Sequence, residues 1–290
     1  MTLCAFHNDA SLQSRSIAGL RTCLERRLVK PGPFDWSETG GSVVGCILQS
    51  NDITLWESKL GLPSWLAVTL DSLSAQQSSD SDACDFSIKL LEVIRPGANL
   101  RNAGSDVILA VLERVGDTMD SVQSLPGVTE VHALHQRASA GEAIAPSQWR
   151  AARALATSLS DALAGSNTWE YGWAQCAETA AWDPHRSPSV VFDTLRVWHN
   201  TQVTRAVADV GWTESSDAQM GALLQTLYDQ YVKDSPDPEL TVFDMLAKLH
   251  PADDARLLAK YEVERRVSSD TTASGTEILL TVLGEPRLAV

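Results

Sequence analysis

SQWRAARALATSLSDALAG (147–165) and, two residues later, TWEYGWAQCAETAAWD (168–183) decide how the rest of this chain is read. In the first segment Trp149, Ala152, Leu155, Ala156, Leu159 and Leu163 recur at helical spacing, while Arg150, Arg153 and Asp161 fall off that stripe. Ser147 reads as the N-cap, and Gly165 as the left-handed residue that ends the helix. Trp169, Trp173, Cys176, Ala177 and Ala180 continue the pattern until Asp183-Pro184 stops it. Two helices joined this closely fold back antiparallel, and their alanine faces let the axes approach. The centre of the chain is therefore a helical hairpin.

Toward the N-terminus the same period recurs. Asn8 or Asp9 caps a helix with Ile17, Leu20, Leu24 and Leu28 on one face, and Pro31 follows its end. Val43-Val44-Gly45-Cys46-Ile47-Leu48 is the best strand candidate, β-branched and bounded by Gly-Gly and Ser-Asn, although so short a run fits a buried helical turn equally. Asp52 begins a helix with Leu55 and Trp56 that ends at Gly61, and Pro63 opens the next, with Trp65, Leu66, Leu70 and Leu73. AQQSSDSDA (75–83) has no large apolar side chain and reads as a solvated, locally disordered loop. One further helix carries Phe86, Leu90, Leu91 and Ile94; another, capped by Ser105, carries Val107, Ile108, Val111, Leu112 and Val115. A turn at 125–127 leads to a third, with Val131 and Leu134 inward.

Toward the C-terminus, Ser187-Pro188 opens a long helix with Val191, Leu195, Trp198 and Val203, closed by Gly211. Ser216 or Asp217 starts another, carrying Met220, Leu223, Leu224, Leu227 and Tyr231. SPDP (235–238) breaks the chain, and helices follow around Phe243–Leu249 and Asp254–Val267. The end reads as a polar linker, SSDTTASG (268–275), before a short apolar segment, TEILLTVL (276–283). No period of ~20–50 residues repeats, so a solenoid is not indicated. The expected fold is mainly α, an irregular bundle of about ten helices with one short strand element near 43–48 if that run is a strand. A boundary at 145/146 divides an N-terminal helical region (1–145) from a C-terminal bundle (146–290), unless both form one domain.

A chain of 290 residues, 44% hydrophobic and 21% charged, buries a substantial core. Its net charge of -14 repels phosphate backbones and anionic lipid, which argues against nucleic acid and membrane surfaces and favours basic proteins or metal cations. The first fifteen residues lack the basic and apolar regions of a secretory signal, and no stretch approaches the ~20 apolar residues of a membrane span. Cys4, Cys23, Cys46, Cys84 and Cys176 are odd in number and free of CxxC spacing, which fits reduced thiols in a cytoplasm. A cytoplasmic location without a cofactor is expected.

Few residues advertise chemistry. His132 and His135 share a helix face at a spacing that suits a metal ion, with Glu130 nearby, but no further ligand accompanies them. No nucleophile elbow, Walker loop or dinucleotide fingerprint is present, and Cys176 reads as a small core residue. Nine tryptophans against five phenylalanines and four tyrosines is a skewed choice; a Trp stripe serves either a core or a groove. The acids are uneven. Residues 209–254 hold ten carboxylates against Lys233 and Lys248, a net of -8 in 46 residues. Either these acids are a solvated face or they dock a basic partner. The docking reading assigns contact to Asp229, Asp234, Asp237, Glu239 and Asp244, with Trp198 and Trp212 as exposed aromatics.

GLPSWLAVTLDSL (61–73), FSIKLLEVIRPGANL (86–100) and the alanine-rich 147–165 segment resemble uncharacterised alanine-rich helical bacterial proteins, some of which look like immunity proteins of polymorphic-toxin systems. The resemblance covers roughly residues 60–180 and implies a cytoplasmic helical binder that neutralises a partner. The leading functional expectation is a non-enzymatic acidic binding module, immunity- or inhibitor-like, for a basic protein. Two alternatives stand beside it: an enzyme with a pocket among the central Trp helices, and an accessory or structural subunit of a bacterial or phage assembly.

Overall fold

The computed structural model describes residues 3–116, 125–165 and 169–285. Among these the fold is mainly α, with 13 α-helices and a single two-stranded sheet. In chain order they are α1 (Ala10–Glu25), the hairpin strands β1 (Trp36–Ser37) and β2 (Gly40–Gly41), α2 (Val43–Leu48), α3 (Leu55–Leu60), α4 (Ser64–Ser74), α5 (Asp80–Val93) and α6 (Ala103–Gly116). Then come α7 (Pro126–Ser139), α8 (Pro146–Leu163), α9 (Trp169–Ala180), α10 (Val190–Asp209), α11 (Glu214–Leu227), a π-turn (Tyr228–Val232), α12 (Val242–Leu249) and α13 (Pro251–Gly284).

The central hairpin is α8 and α9, packed on α7 and α10. Trp149, Ala152, Ala156 and Ser160 form its buried line on α8. Leu155 lies off that line and is exposed, so the true stripe is centred on the alanines. A methyl group at Gly127 of α7 would stand 2.9 Å from the Ala156 Cα, which shows how closely small residues bring these two helices together. The N-cap is Ala145, not Ser147: Pro146 takes the first helical position, where its missing N–H costs nothing. Gly165 has φ +80° as its place after the helix requires. The expected break at 166–168 and the side chains of Val115 and Trp169 lie outside the described residues.

VVGCIL is a helix, and the strand expected at 43–48 is corrected to α2. Ser42 caps it by accepting from the Gly45 N–H at 3.0 Å, and Asp71 of α4 accepts from the Val44 N–H and the Ser42 hydroxyl, each at 2.8 Å. A buried carboxylate thus takes the place of a ladder partner. The strands lie just upstream, pairing Trp36 with Gly41 and Ser37 with Gly40. Gly45 lets α2 rest on this hairpin, since a Cβ there would fall 2.0 Å from the Asp35 carbonyl.

Other boundaries move for capping reasons. Ser79 caps α5 through the Asp82 N–H, so the polar tract expected to be loop over 75–83 is already helical from Asp80, with two acids in the favourable first turn. Ser105 lies inside α6 rather than at its cap. The 125–127 turn is the start of α7, with Pro126 at its first position. Thr213, not Ser216 or Asp217, caps α11, with Ser216 answering it in a reciprocal box. The linker expected at 268–275 is the middle of α13, a continuous helix about 50 Å long at ~1.5 Å per residue.

Two hydrophobic cores result. The larger takes side chains from α1 through Trp198 of α10 and closes with Ile278, Leu279 and Leu283 from the end of α13. It runs through residue 145 unbroken, joining Val131 and Leu134 to Trp149 and Ala156. The smaller contains Val207, Trp212, Met220, Leu227, Met245, Leu246 and Leu257. Helices α10 and α13 contribute to both cores, and they carry a C-terminal lobe on the main body. No helix among the described residues is long and apolar enough to cross a membrane.

Candidate functional site

The C-terminal lobe is organised on Trp212, which follows the left-handed Gly211 and is 3% exposed. Its indole N–H donates to Asp217 at 2.8 Å, and Arg256 and Lys260 of α13 each lie 5.0 Å from the centre of its rings. Lys260 bonds Asp217 at 2.9 Å, and this bond, then that from Trp212, holds the Asp217 carboxyl below the usual carboxylate range. Arg256 bonds the Ser216 hydroxyl at 2.8 Å. These contacts tie α11 to α13.

The predicted acids lie in the same lobe. Asp229, Asp234, Asp237, Glu239 and Asp244 are all exposed. Asp237 accepts from the Glu239 N–H at 3.0 Å within the 235–238 break, and Asp229 accepts from Gln225 at 3.1 Å. Asp244 also starts a helix: its carboxylate accepts from the Thr241 N–H and hydroxyl, the hydroxyl bond first holding its pKa down. The two predicted aromatics are corrected. Trp198, 4% exposed, belongs to the larger core, and Trp212, in the connection between α10 and α11, belongs to the smaller, where Arg256 and Lys260 of α13 lie over its rings.

Other side chains take their place at the surface. Of the nine large hydrophobic residues that are exposed among the described residues, seven lie between 210 and 261: Val210, Tyr228, Tyr231, Phe243, Leu249, Leu258 and Tyr261. A plain 3.6-residue period from Met220 through Leu227 predicts Tyr231 inward. The π-turn at Tyr228–Val232 winds with i→i+5 bonding and rotates it out, so that none of its five residues is buried. Nothing in the local sequence announces that extra residue.

The histidines of α7 are separated in role. His135 is fully buried, its Nε2 donating to the Ala180 carbonyl at 2.8 Å and its Nδ1 facing the Ser105 hydroxyl at 3.2 Å. Both nitrogens are engaged, burial pushes the imidazole down to about 4, and the ring stands edge-on to Trp149 at 4.9 Å. His132 is partly exposed beside Glu113. Among the described residues no group of three or more His, Cys, Asp or Glu side chains could hold a metal ion. Burial pushes the Cys176 thiol up to about 12, so it stays protonated at neutral pH.

A cleft of about 930 Å³ opens between the lobe and the main body, with Tyr171, Gln175, Glu178, Arg196, Trp212 and Lys260 on its walls. Its charges are engaged locally: Lys260 with Asp217 and Glu264, Glu178 with Thr157, Arg196 with Asp193. Comparison with protein-family models, curated proteins and solved structures returned no match.

Proposed function

We propose that the chain is a non-enzymatic, acidic protein-binding module, immunity- or inhibitor-like, which neutralises a basic protein docked on its C-terminal lobe. One observation carries this reading: residues 209–254, with a net charge of -8, also hold five of the nine exposed large hydrophobic side chains among the described residues, Val210, Tyr228, Tyr231, Phe243 and Leu249. A solubility face would be acidic without clustered aromatics. An interface combines both, because charge speeds encounter while partly buried aromatics supply the adhesive contacts.

The test is kinetic. A binder retained from lysate at low salt and released at high salt is identified, purified and passed over the immobilised chain at two ionic strengths. Asp229→Lys, Asp234→Lys and Asp237→Lys together slow association and flatten its salt dependence, with a smaller effect on dissociation. Phe243→Ser with Tyr231→Ser instead speeds dissociation. Unchanged association with the triple variant refutes the docking reading.

A further inference from the structure

The chain itself shows how its aromatic rings take cations. Arg256 lies 5.0 Å from the centre of the Trp212 rings, and its guanidinium bonds the Ser216 hydroxyl at 2.8 Å. On the main body Arg153 stacks on Trp182 at 3.6 Å. Lys260 serves Trp212 and stands 5.8 Å from the Tyr261 ring. Each of these rings meets a cation supplied from within the fold.

Tyr228 and Tyr231 do not. The Lys233 N–H donates to the Tyr228 carbonyl at 2.9 Å across the π-turn, and both tyrosines are left 44% exposed. Among the described residues no cation stands over either ring. Asp229 lies between them in the turn, and Asp234 and Asp237 follow it. All three acids are exposed, and none is in an ion pair among the described residues. Lys233 is the one base between Tyr228 and Thr241, against Asp229, Asp234, Asp237 and Glu239. Open rings and uncompensated carboxylates therefore share one short stretch, and a cation satisfies both.

The same pairing selects between cations. A guanidinium lies flat on a ring and still aims N–H groups from its edge at a carboxylate. An ammonium is a compact, strongly hydrated point charge that stacks less well. We propose that the π-turn and the acids after it dock an arginine-bearing segment of the partner, its guanidinium groups lying on Tyr228 and Tyr231 and bonding Asp229 and Asp234. This deepens the docking reading above and rests on it.

The full chain, carbon-13 labelled at its four tyrosines, is titrated with an eight-residue peptide alternating glycine and arginine, and with its lysine counterpart of equal charge. The arginine peptide binds saturably and about threefold tighter than the lysine peptide, the scale of one exposed cation–π contact. It moves the ring resonances of Tyr228 and Tyr231 and leaves those of Tyr171, on the wall of the cleft, in place. Tyr228→Leu with Tyr231→Leu keeps apolar surface but removes the arginine advantage, and Asp229→Asn with Asp234→Asn weakens both peptides. Should the leucine variant melt early, the resonance shifts of the parent decide. The proposal is overturned if neither peptide saturates at millimolar concentration, if the two bind equally, if the Tyr228 and Tyr231 resonances stay in place, or if a folded leucine variant keeps the preference. Equal binding that the asparagine variant weakens overturns arginine stacking alone; acidic docking itself fails in the association kinetics above.

Discussion

Asp71 and His135 are two buried side chains whose charge the fold shifts in opposite senses. Burial raises the Asp71 carboxyl from 3.8 to about 6 despite its bonds from Val44 and Ser42, and lowers the His135 imidazole from 6.5 to about 4. As pH falls from 6 toward 4 the folded chain protonates Asp71 before the unfolded chain does, so stability is gained. As pH falls from 6.5 toward 4 the unfolded chain protonates His135 first, so stability is lost. The two slopes oppose each other over nearly the same window. Asp71→Asn is expected to lower the urea midpoint progressively, relative to the parent, between pH 6.5 and 4; His135→Gln is expected to raise it over that range. Parallel curves for parent and variants would show that neither group is buried with the charge preference assigned. Trp149, 5% exposed and edge-on to His135, is a core residue, and Trp149→Ala is expected to cost roughly 3–5 kcal/mol by urea titration. Ready iodide quenching of Trp149 fluorescence would place it at the surface instead.

The element that departs furthest from its own sequence is α13. SSDTTASG is a poor helix former, yet it is helical because both flanks are docked, Leu257 in the smaller core and Ile278 and Leu279 in the larger. Side chains hold its middle as well: Ser268 bonds His199 at 2.9 Å, and Ser274 accepts from Arg114. Tertiary docking overrides propensity here because each flank buries more than the polar residues lose. Ser269 is exposed and provides the test. Ser269→Pro is expected to cost about 3 kcal/mol or more, whereas Ser269→Ala stabilises by a few tenths of a kcal/mol, about the difference in helix propensity. Thermal melts distinguish this from a linker, in which the proline would be nearly silent.

At the scale of the whole molecule, charge is the most uneven property. Residues 1–60 balance six basic against six acidic side chains, whereas 209–254 carry a net of -8, so the field is directional. Asp229, Asp234 and Asp237 lie on exposed positions in or near turns. Their reversal to lysine is expected to leave the urea midpoint within about 0.5 kcal/mol per site, as for ordinary surface positions. The parent is expected to gain stability as sodium chloride rises from low ionic strength, and the triple variant to gain less, because less self-repulsion remains to be screened. An equal salt response would assign the repulsion to another part of the chain.

By itself the sequence determined the mainly α class, the hairpin of α8 and α9, a cap for α1 at Asn8 or Asp9 and the exposure of the acids around 235–238. Each of these follows from information within a few residues: a 3.6-residue period, a capping side chain, a Pro or Gly stop. Only the tertiary structure decided that VVGCIL is helical, because the carboxylate that satisfies Val44 belongs to Asp71, 27 residues away. It likewise decided that Trp198 and Trp212 are covered while Tyr228, Tyr231 and Tyr261 are not. Periodicity distinguishes the faces of a helix but not which of them meets another element, and α10 meets α4, α6, α9 and α13 on several sides at once. The cleft between the lobe and the main body is of the same kind, since a space between helices is defined by the side chains they fail to provide, and no local pattern records an absence.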